Sequence, residues 1–365
     1  MRRRVGFGRT FESHEGMSAQ GHRIVFLYSE LAGYFLACAE ALGNHPDVAS
    51  VDIVHWPIHP EAPFQFASTD HYTLHPKKKH DRNSLAQLLA QINPTALVCS
   101  GWMDSDYNAL AKAHCNRIPV VLTLDNWWTS SLKQRLAALT SPWFIKRRFN
   151  RAWVPGAPQV PFAQKMGFSG DSLATGFYCA DPRPFQAIYE KRKTTQPSKK
   201  ILYIGRYLEI KGLRELWAAF AELSDDFPEW ELHCIGTGEL WACRAIHPRI
   251  IHHGFKQPRE LAPHLVDAAC FVMPSRKEPW GVVLHEMAIS GLPLVASNRV
   301  GSASQFLKHG KNGITFEPYA LKEGLNTLLS KDASRLKIES DASHKLGTQQ
   351  TPVDWCLTLL SLIEA

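Results

Sequence analysis

The sequence contains no long hydrophobic run. No stretch of its 365 residues approaches the roughly 18 consecutive apolar residues that a membrane-spanning helix requires. The chain opens with Met1 and three arginines, but the apolar core of a secretory signal does not follow. Residues 1–21 are polar and glycine-rich. We expect them to be a disordered or misassigned extension, with either Met1 or Met17 as the true start.

The eight cysteines include no Cys-x-x-Cys pair, and the 17 histidines show no metal-ligand spacing with nearby acids. Several cysteines lie inside apolar runs, as Cys99 and Cys270 do. This pattern predicts buried, reduced thiols and a cytoplasmic protein. Neither a structural metal nor a catalytic metal is expected, and no cofactor is expected beyond the substrate itself.

Charge of one sign is not in large excess. The net charge is +7, of which residues 1–185 carry +5 and the remainder +2. This excess is too small to indicate a nucleic-acid partner, although the basic N-terminal half hints at an anionic partner or a membrane surface. Hydrophobic residues make up 45% of the chain, as in globular proteins, and the length fits two domains.

Strand-like and helix-like runs alternate along the chain, without internal repeats. The strand-like runs are continuously apolar, as at residues 96–100 and 119–124, which is typical of parallel strands buried on both faces. A charged, proline-containing stretch interrupts the series. We therefore predict an N-terminal Rossmann-like domain at residues 22–186 and a linker at 187–199. A second Rossmann-like domain is predicted at 200–348, and a C-terminal helix that packs back on the first domain at 349–365.

Two loops of the second domain carry the clearest chemistry. In the first, a buried strand ends at Gly205, and a helix begins just after Gly212. Arg206 and Lys211 therefore lie at the carboxyl edge of the sheet, beside a helix N-terminus. That edge binds ligands in open α/β sheets, and the helix dipole favours an anion there. A pair of solvated surface cations is the alternative.

The second loop contains Glu278 and leads into a helix predicted at 282–290, where Gly291 and Pro293 stop it. The backbone amides around Gly281 and Val282 can bind a diphosphate. Glu286 lies within the helix, where its carboxylate can accept two hydrogen bonds from a ribose diol, while Glu278 can reach sugar hydroxyls. An exposed helix glutamate and a loop residue are the alternatives.

The spacing of Glu278 and Glu286, followed by Ala-x-x-Gly-Leu-Pro-Leu-Val-Ala, resembles the signature of retaining GT-B glycosyltransferases of family 4. The resemblance extends from Ile201 to about Tyr319 and includes Gly205-Arg206, Lys211-Gly212 and Gly236-Thr-Gly238. It implies two Rossmann-like domains whose parallel sheets face each other across a cleft, and transfer of a hexosyl group from a nucleotide-sugar donor. The acceptor would be a saccharide or a lipid-linked saccharide, in polysaccharide biosynthesis.

The resemblance also implies residue roles. Arg206, Lys211 and Glu278 would be catalytic. The donor would be held by a further set: Gly205, Gly238, Glu239, Pro279, Trp280, Gly281, Val282, Val283 and Glu286. In the first domain we expect Gly33, Asp125 and Asn126 to face the cleft, although Asp125-Asn126 stands where many members have a histidine. Two alternatives stay open: a nucleotide-sugar epimerase of the same fold, and a non-catalytic nucleotide-sugar-binding member.

Two further segments allow more than one interpretation. Asp104-Ser-Asp106 matches the metal motif of the other large glycosyltransferase fold, but helix N-capping explains the aspartates without a metal. Residues 142–153 mix aromatic and basic side chains. They form either a peripheral contact with an anionic membrane, at its inner face, or an ordinary domain helix with its cations in water; the second is favoured.

Overall fold

The computed structural model describes residues 21–58 and 65–365. The predicted extension at 1–21 therefore lies, apart from Gly21, outside the described residues. The described strands form two sheets. Those of the first are β1 (His22–Tyr28), β2 (Val48–His55), β3 (Thr73–Pro76), β4 (Ala96–Ser100), β5 (Val120–Thr123), β6 (Arg151–Val154) and β7 (Leu173–Thr175). Those of the second are β8 (Lys200–Ile204), β9 (Glu231–Ile235), β10 (Ile250–His252), β11 (Cys270–Met273), β12 (Leu294–Ser297) and β13 (Gly313–Phe316).

Helices follow most strands and cover the sheets. In the first half they are α1 (Gly33–Gly43), α2 (Arg82–Ile92), α3 (Ser105–His114), α4 (Leu132–Phe144), α5 (Val160–Lys165) and α6 (Pro182–Arg192). In the second half they are α7 (Leu213–Leu223), α8 (Ala262–Val266), α9 (Val282–Ile289), α10 (Ala303–Phe306), α11 (Leu321–Leu329), α12 (Ala333–Gly347) and α13 (Pro352–Glu364).

Both sheets are parallel, with strand orders β3-β2-β1-β4-β5-β6-β7 and β10-β9-β8-β11-β12-β13. The order reverses beside β1 in the first sheet and beside β8 in the second. Loops that leave neighbouring strands there diverge to opposite faces and leave a crevice at the carboxyl edge. The predicted fold class, two Rossmann-like domains with parallel sheets, is confirmed.

Apolar clusters cover both faces of each sheet, which explains the continuous apolar runs in the sequence. Alternate residues of β1 belong to different clusters: Phe26 packs on one face and Leu27 on the other. The segment Ile24–Leu27 is completely buried. Because both faces of the sheets are covered, the loops at the carboxyl edges are the parts left free to form a site.

Two segments differ from the sequence-based expectation. Helix α6 extends to Arg192, so residues 187–192 are helical where we expected linker. The Arg192 guanidinium is buried and donates to the carbonyl oxygens of Leu265 and Ala268 at 2.6 and 2.7 Å. The charged composition of this stretch therefore conceals a tertiary contact. Helix α12 was not predicted, because the apolar positions in its sequence are too few to show a helical period.

Helix α13 packs against α1, on the first domain. Its Trp355 is buried, and the indole Nε1 donates to the carbonyl oxygen of Phe177 at 2.6 Å. Seven of the eight cysteines are buried, whereas Cys243 is exposed. Within the described ranges, no helix has the length and apolar character that a transmembrane span needs.

Candidate active site

A cleft of about 1300 Å³ opens between the carboxyl edges of the two sheets. The first domain contributes loops that follow β1, β4 and β5. The second contributes loops that follow β8, β9, β10 and β11. Because parallel strands all point their carboxyl ends the same way, each domain presents several loop amides and side chains to this one space. A cleft of this volume is large enough for a dinucleotide-sized ligand.

The second-domain wall is basic around the loop after β8. Arg206 and Lys211 both line the cleft, and the Lys211 ammonium forms an ion pair with the Glu278 carboxylate. Only about a fifth or less of either side chain in this pair is exposed, so water screens their attraction weakly. The pair joins the loop after β8 to the loop after β11. It places one fixed positive charge and one carboxylate at the same point of the wall.

The N-terminus of α9 is also in this wall. Gly281 caps the helix with φ of 88°, and a Cβ atom there would approach Met273 Cε to 2.8 Å and Glu278 Cγ to 2.9 Å. Glycine is therefore required both by the backbone angle and by the close packing. The amides of Val282 and Val283 follow in the first helical turn, where no helical carbonyl precedes them, and both residues line the cleft.

Glu286 lies one turn further along α9 and also lines the cleft. Burial, together with the smaller effect of the negative charge of Asp181, raises the pKa of its carboxyl group to about 7. In the free protein the group is thus close to half ionised at neutral pH. A ligand that donates hydrogen bonds to it would favour the ionised form.

The first-domain wall is acidic and aromatic. Burial raises the pKa of Asp125, and the nearby Glu278 carboxylate adds to this, whereas backbone hydrogen bonding and a hydrogen bond with Tyr178 oppose it. The Tyr178 ring packs edge-to-face on Tyr34 with centroids 5.9 Å apart. Asn126 Nδ2 donates to Asp125 Oδ1 at 3.4 Å. The Asp125 carboxylate therefore lies near the Glu278 carboxylate of the opposite wall, with the rings of Tyr34 and Tyr178 beside it.

Direct contacts between the domains hold the cleft in its observed width. The carbonyl oxygen of Pro279 accepts hydrogen bonds from Trp127 Nε1 at 2.9 Å and from Gln159 Nε2 at 2.6 Å. Gln159 Nε2 also donates to the Asp125 carbonyl oxygen at 3.2 Å. Beside these bonds, Gly156 lies against the buried ring of Trp280. The loop that contains Glu278 is therefore tied to the first domain.

Replacing Gly156 by alanine is expected to push the domains apart. The backbone there is extended, so alanine introduces no strain of its own, but its Cβ would lie 2.6 Å from the Trp280 ring. We expect kcat/KM to fall at least about tenfold, since small displacements of catalytic groups are costly. Small-angle scattering should show a larger radius of gyration. Ala157→Ser, at the exposed neighbouring position, is the control; unchanged kinetics for Gly156→Ala would contradict the prediction.

The structure brings most of the predicted site residues together at the cleft. The predicted residues that line it are Gly33, Asp125, Asn126, Gly205, Arg206, Lys211, Glu278, Pro279, Trp280, Gly281, Val282, Val283 and Glu286. Gly238 and Glu239 are not among the lining residues. The chain reaches the cleft at Gly236 and Thr237 and then turns away, and the Glu239 carboxylate accepts from the Glu209 amide at 3.0 Å.

Other lining residues were missed by the sequence analysis. They include Tyr34 and Tyr178 on the first-domain side and Lys256 and Arg259 on the second. Lys256 and Arg259 follow β10. Because ligands bind at the carboxyl ends of parallel strands, this position in the sequence could have indicated them as site residues. Tyr34 carries no such signal, because an aromatic residue in an apolar helix is normally part of the core. Asp104, in contrast, caps α3 as expected, accepting from the Asp106 and Tyr107 amides.

Fold and cleft together define a two-domain α/β protein of the GT-B type, with its site between the domains. Residues 185–345 match the family model described as "Glycosyl transferases group 1". The resemblance inferred from the sequence is thus confirmed for that segment as a glycosyl transferases group 1 domain. Assignment to family 4 stays a prediction.

Relatives with known names agree with this class. The chain is 32% identical over 242 residues to a "Glycogen synthase" of Mycobacterium tuberculosis H37Rv, covering 62% of this chain and 57% of that protein. It is 25% identical over 169 residues to an "Uncharacterized glycosyltransferase" of Haemophilus influenzae, covering 43% of this chain and 48% of that protein. The chain thus spans about half the length of these relatives.

Solved structures share the whole fold. Sucrose-phosphate synthase from Thermosynechococcus elongatus superimposes with a TM-score of 0.68 at 17% identity, covering 93% of this chain and 98% of that one. HepE from Anabaena, in complex with UDP and glucose, gives a TM-score of 0.67 at 15% identity, covering 94% and 100%. At such low identity these similarities establish the GT-B architecture alone.

Proposed function

We propose that this protein transfers a hexosyl group from a nucleotide-sugar donor to a saccharide or lipid-linked saccharide acceptor. The observation that carries the proposal is the clustering of Arg206, Lys211, the α9 N-terminus and Glu286 along one wall of an interdomain cleft. Cations and free amides suit a diphosphate, and a carboxylate one helical turn away suits a ribose diol. The UDP and glucose in the HepE complex support this class of donor.

The proposed chemistry follows from where charge develops. As the bond between the sugar and the diphosphate breaks, negative charge grows on the leaving diphosphate. Arg206, Lys211 and the amides of the first α9 turn would stabilise that charge without reorganising. This positive charge is why we propose that no metal is essential. Glu278 would accept hydrogen bonds from the transferred sugar. Retention of the anomeric configuration is part of the proposal and rests on the family resemblance.

The proposal also includes a cytoplasmic location. This location is supported by seven buried cysteines that form no disulfide bonds, which is typical of proteins in reducing compartments. The acceptor side of the cleft would be the first-domain wall with Asp125 and Tyr178, where carboxylate and hydroxyl groups can contact sugar hydroxyls.

Donor binding and turnover test the proposal directly. The purified full chain would be titrated with UDP-, GDP- and ADP-sugars by calorimetry and assayed for nucleotide release with EDTA present. We expect one donor to bind and to release nucleotide slowly, and a Glu286→Ala variant to lose both. Conversion of a donor to its epimer without acceptor would establish the epimerase instead. Binding without turnover on any acceptor would indicate a non-catalytic member, and binding of no donor would overturn the proposal.

A further inference from the structure

Helix α4 exposes a continuous apolar stripe. Leu132, Leu136, Leu139 and Trp143 are 84, 61, 70 and 63% exposed, respectively. At about 100° per residue, these four positions fall within an arc of about 60° on the helix. Such a row of large exposed side chains differs from isolated surface leucines, which need no explanation. We call this row the outer face of α4.

The opposite side of α4 is anchored in the first domain. Ser141 is buried, and its hydroxyl donates to the carbonyl oxygen of Met166 at 2.6 Å. Ala137 and Ala138 pack on the apolar cluster that contains Phe162. The helix cannot rotate to bury its outer face without losing these contacts. The outer face is therefore presented to the surroundings by the fold itself.

The charge around this helix is of one sign. Residues 126–170 contain no aspartate or glutamate, yet they contain seven cations: Lys133, Arg135, Lys146, Arg147, Arg148, Arg151 and Lys165. Lys133, Arg135 and Arg147 are exposed. Among the described ion pairs, none involves a residue of this segment. Arg148 lies over the Phe144 ring at 3.9 Å, next to the end of the stripe.

We propose that the outer face of α4 docks on an anionic lipid bilayer. An exposed helix with leucine and tryptophan on one side, and beside them cations that form none of the described ion pairs, matches an interfacial amphipathic helix. The apolar stripe would enter the acyl boundary, and the cations would meet lipid phosphates. The charge complementarity argues for a bilayer rather than a second copy, because an identical face would bring like charges together.

This docking places the cleft mouth beside the membrane. Gln134 in the first turn of α4 donates to the Trp127 carbonyl oxygen at 2.6 Å, and the Trp127 indole bonds to Pro279 at the cleft. Asp125 and Asn126 immediately precede Trp127 and line the cleft. If the proposed transfer function holds, an acceptor with a lipid anchor would reach the first-domain wall from the bilayer. Only this consequence rests on the proposed function; the docking itself does not.

Vesicle flotation with the full chain tests the docking. We expect binding to vesicles of phosphatidylcholine with 30% phosphatidylglycerol, binding at least tenfold weaker to phosphatidylcholine alone, and loss of binding at high salt. Leu136→Ser with Leu139→Ser should weaken binding at least tenfold. The matched control is Val353→Ser with Leu357→Ser, two exposed apolar residues about one helical turn apart on α13, and this variant should bind as the wild type does.

A second pair of variants tests the charge. Lys133→Gln with Arg135→Gln should weaken binding to the anionic vesicles about 30-fold. Lys78→Gln with Lys79→Gln, an exposed pair elsewhere on the first domain, should leave it unchanged. Circular dichroism melting would verify that all variants are folded.

Three results would overturn the docking proposal. The first is wild-type binding by the Leu136/Leu139 variant, and the second is absence of wild-type binding to anionic vesicles. The third is a dimer in sedimentation velocity that the α4 variants convert to monomer, which would assign the outer face to a second copy. Donor turnover in vesicle-free solution is measured in parallel. If it persists while vesicle binding fails, the docking is wrong and the proposed function stands.

Discussion

Replacing Lys211 by alanine is expected to lower kcat for glycosyl transfer about a thousand-fold, the upper range for removing one preorganised charge from a leaving group. The ammonium lies in the second-domain wall between the loop after β8 and the loop that leads into α9, paired with Glu278. Its charge is partly buried, so a cation from the solvent would have to lose most of its hydration to take its place. Donor affinity should fall less than kcat, because the charge on the diphosphate grows in the transition state.

Because Lys211 is paired with Glu278, the Lys211→Ala variant has two effects on the site, and they have to be separated. In Lys211→Ala the Glu278 carboxylate is left without its cation and would itself repel a diphosphate. A double variant, Lys211→Ala with Glu278→Gln, separates the two effects. Recovery of donor affinity without recovery of kcat would support the assigned role. Lys322→Ala, at an exposed pair far along the chain, is the control. If Lys211→Ala retains kcat within threefold, Lys211 is not part of the catalytic machinery.

Replacing Glu286 by glutamine is expected to raise KM for the donor about a hundred-fold, since two hydrogen bonds to a charged group would be weakened. The pKa of this carboxyl group, raised to about 7 by burial and by Asp181, gives the effect a pH signature. At pH 6 the wild-type group is mostly protonated and accepts poorly, whereas at pH 8 it is ionised. Donor affinity of the wild type should therefore rise between pH 6 and 8, and that of Glu286→Gln should stay flat.

The free energy of unfolding should depend on pH in the opposite sense to donor affinity: it should fall as the pH rises. The folded-state pKa of Glu286 lies above the ordinary value of 4.5, so the folded protein binds the proton more tightly than the unfolded chain does. Stability from this group is therefore lost as the pH rises from about 4.5 to 7. Glu286→Gln should raise the free energy of unfolding by about 3 kcal/mol at pH 8 and leave it nearly unchanged at pH 4.

Thermal melts at the two pH values provide the measurement, with Glu229→Gln at an exposed position as control. A substitution that weakens donor binding while it stabilises the free protein is typical of a group buried for function rather than for folding. Equal melting temperatures for wild type and Glu286→Gln at pH 8 would show that the surroundings of Glu286 do not disfavour its ionised form.

Much of the second domain could be predicted from the sequence because its signals are local. A buried strand followed by Gly205, and a helix that begins at Gly281 and stops at Gly291, depend on backbone angles and on periods of two to four residues. The placement of Arg206, Lys211 and Glu286 at the cleft follows from those local elements together with the common direction of parallel strands.

The first domain and the domain contacts required the tertiary structure. Trp127 and Gln159 meet Pro279 although 152 and 120 residues separate them along the chain, and no local period reports such a contact. The charged stretch at 187–192 resembled a linker because the buried partners of Arg192 lie about 75 residues away. Likewise, the sequence shows that α4 contains apolar residues, but only the packing of the helix decides which of its faces is covered.

The sequence by itself therefore determined the fold class, the two loops of the second domain and the residues that those loops carry to the sheet edge. The tertiary structure alone decided that Tyr34 and Tyr178 join Asp125 and Asn126 at the cleft, how Lys211 pairs with Glu278, and that the outer face of α4 stays uncovered. The physical reason is one of range. Hydrogen bonding and side-chain alternation within a strand or helix repeat every few residues and leave a pattern, whereas burial between distant segments depends on how whole elements pack.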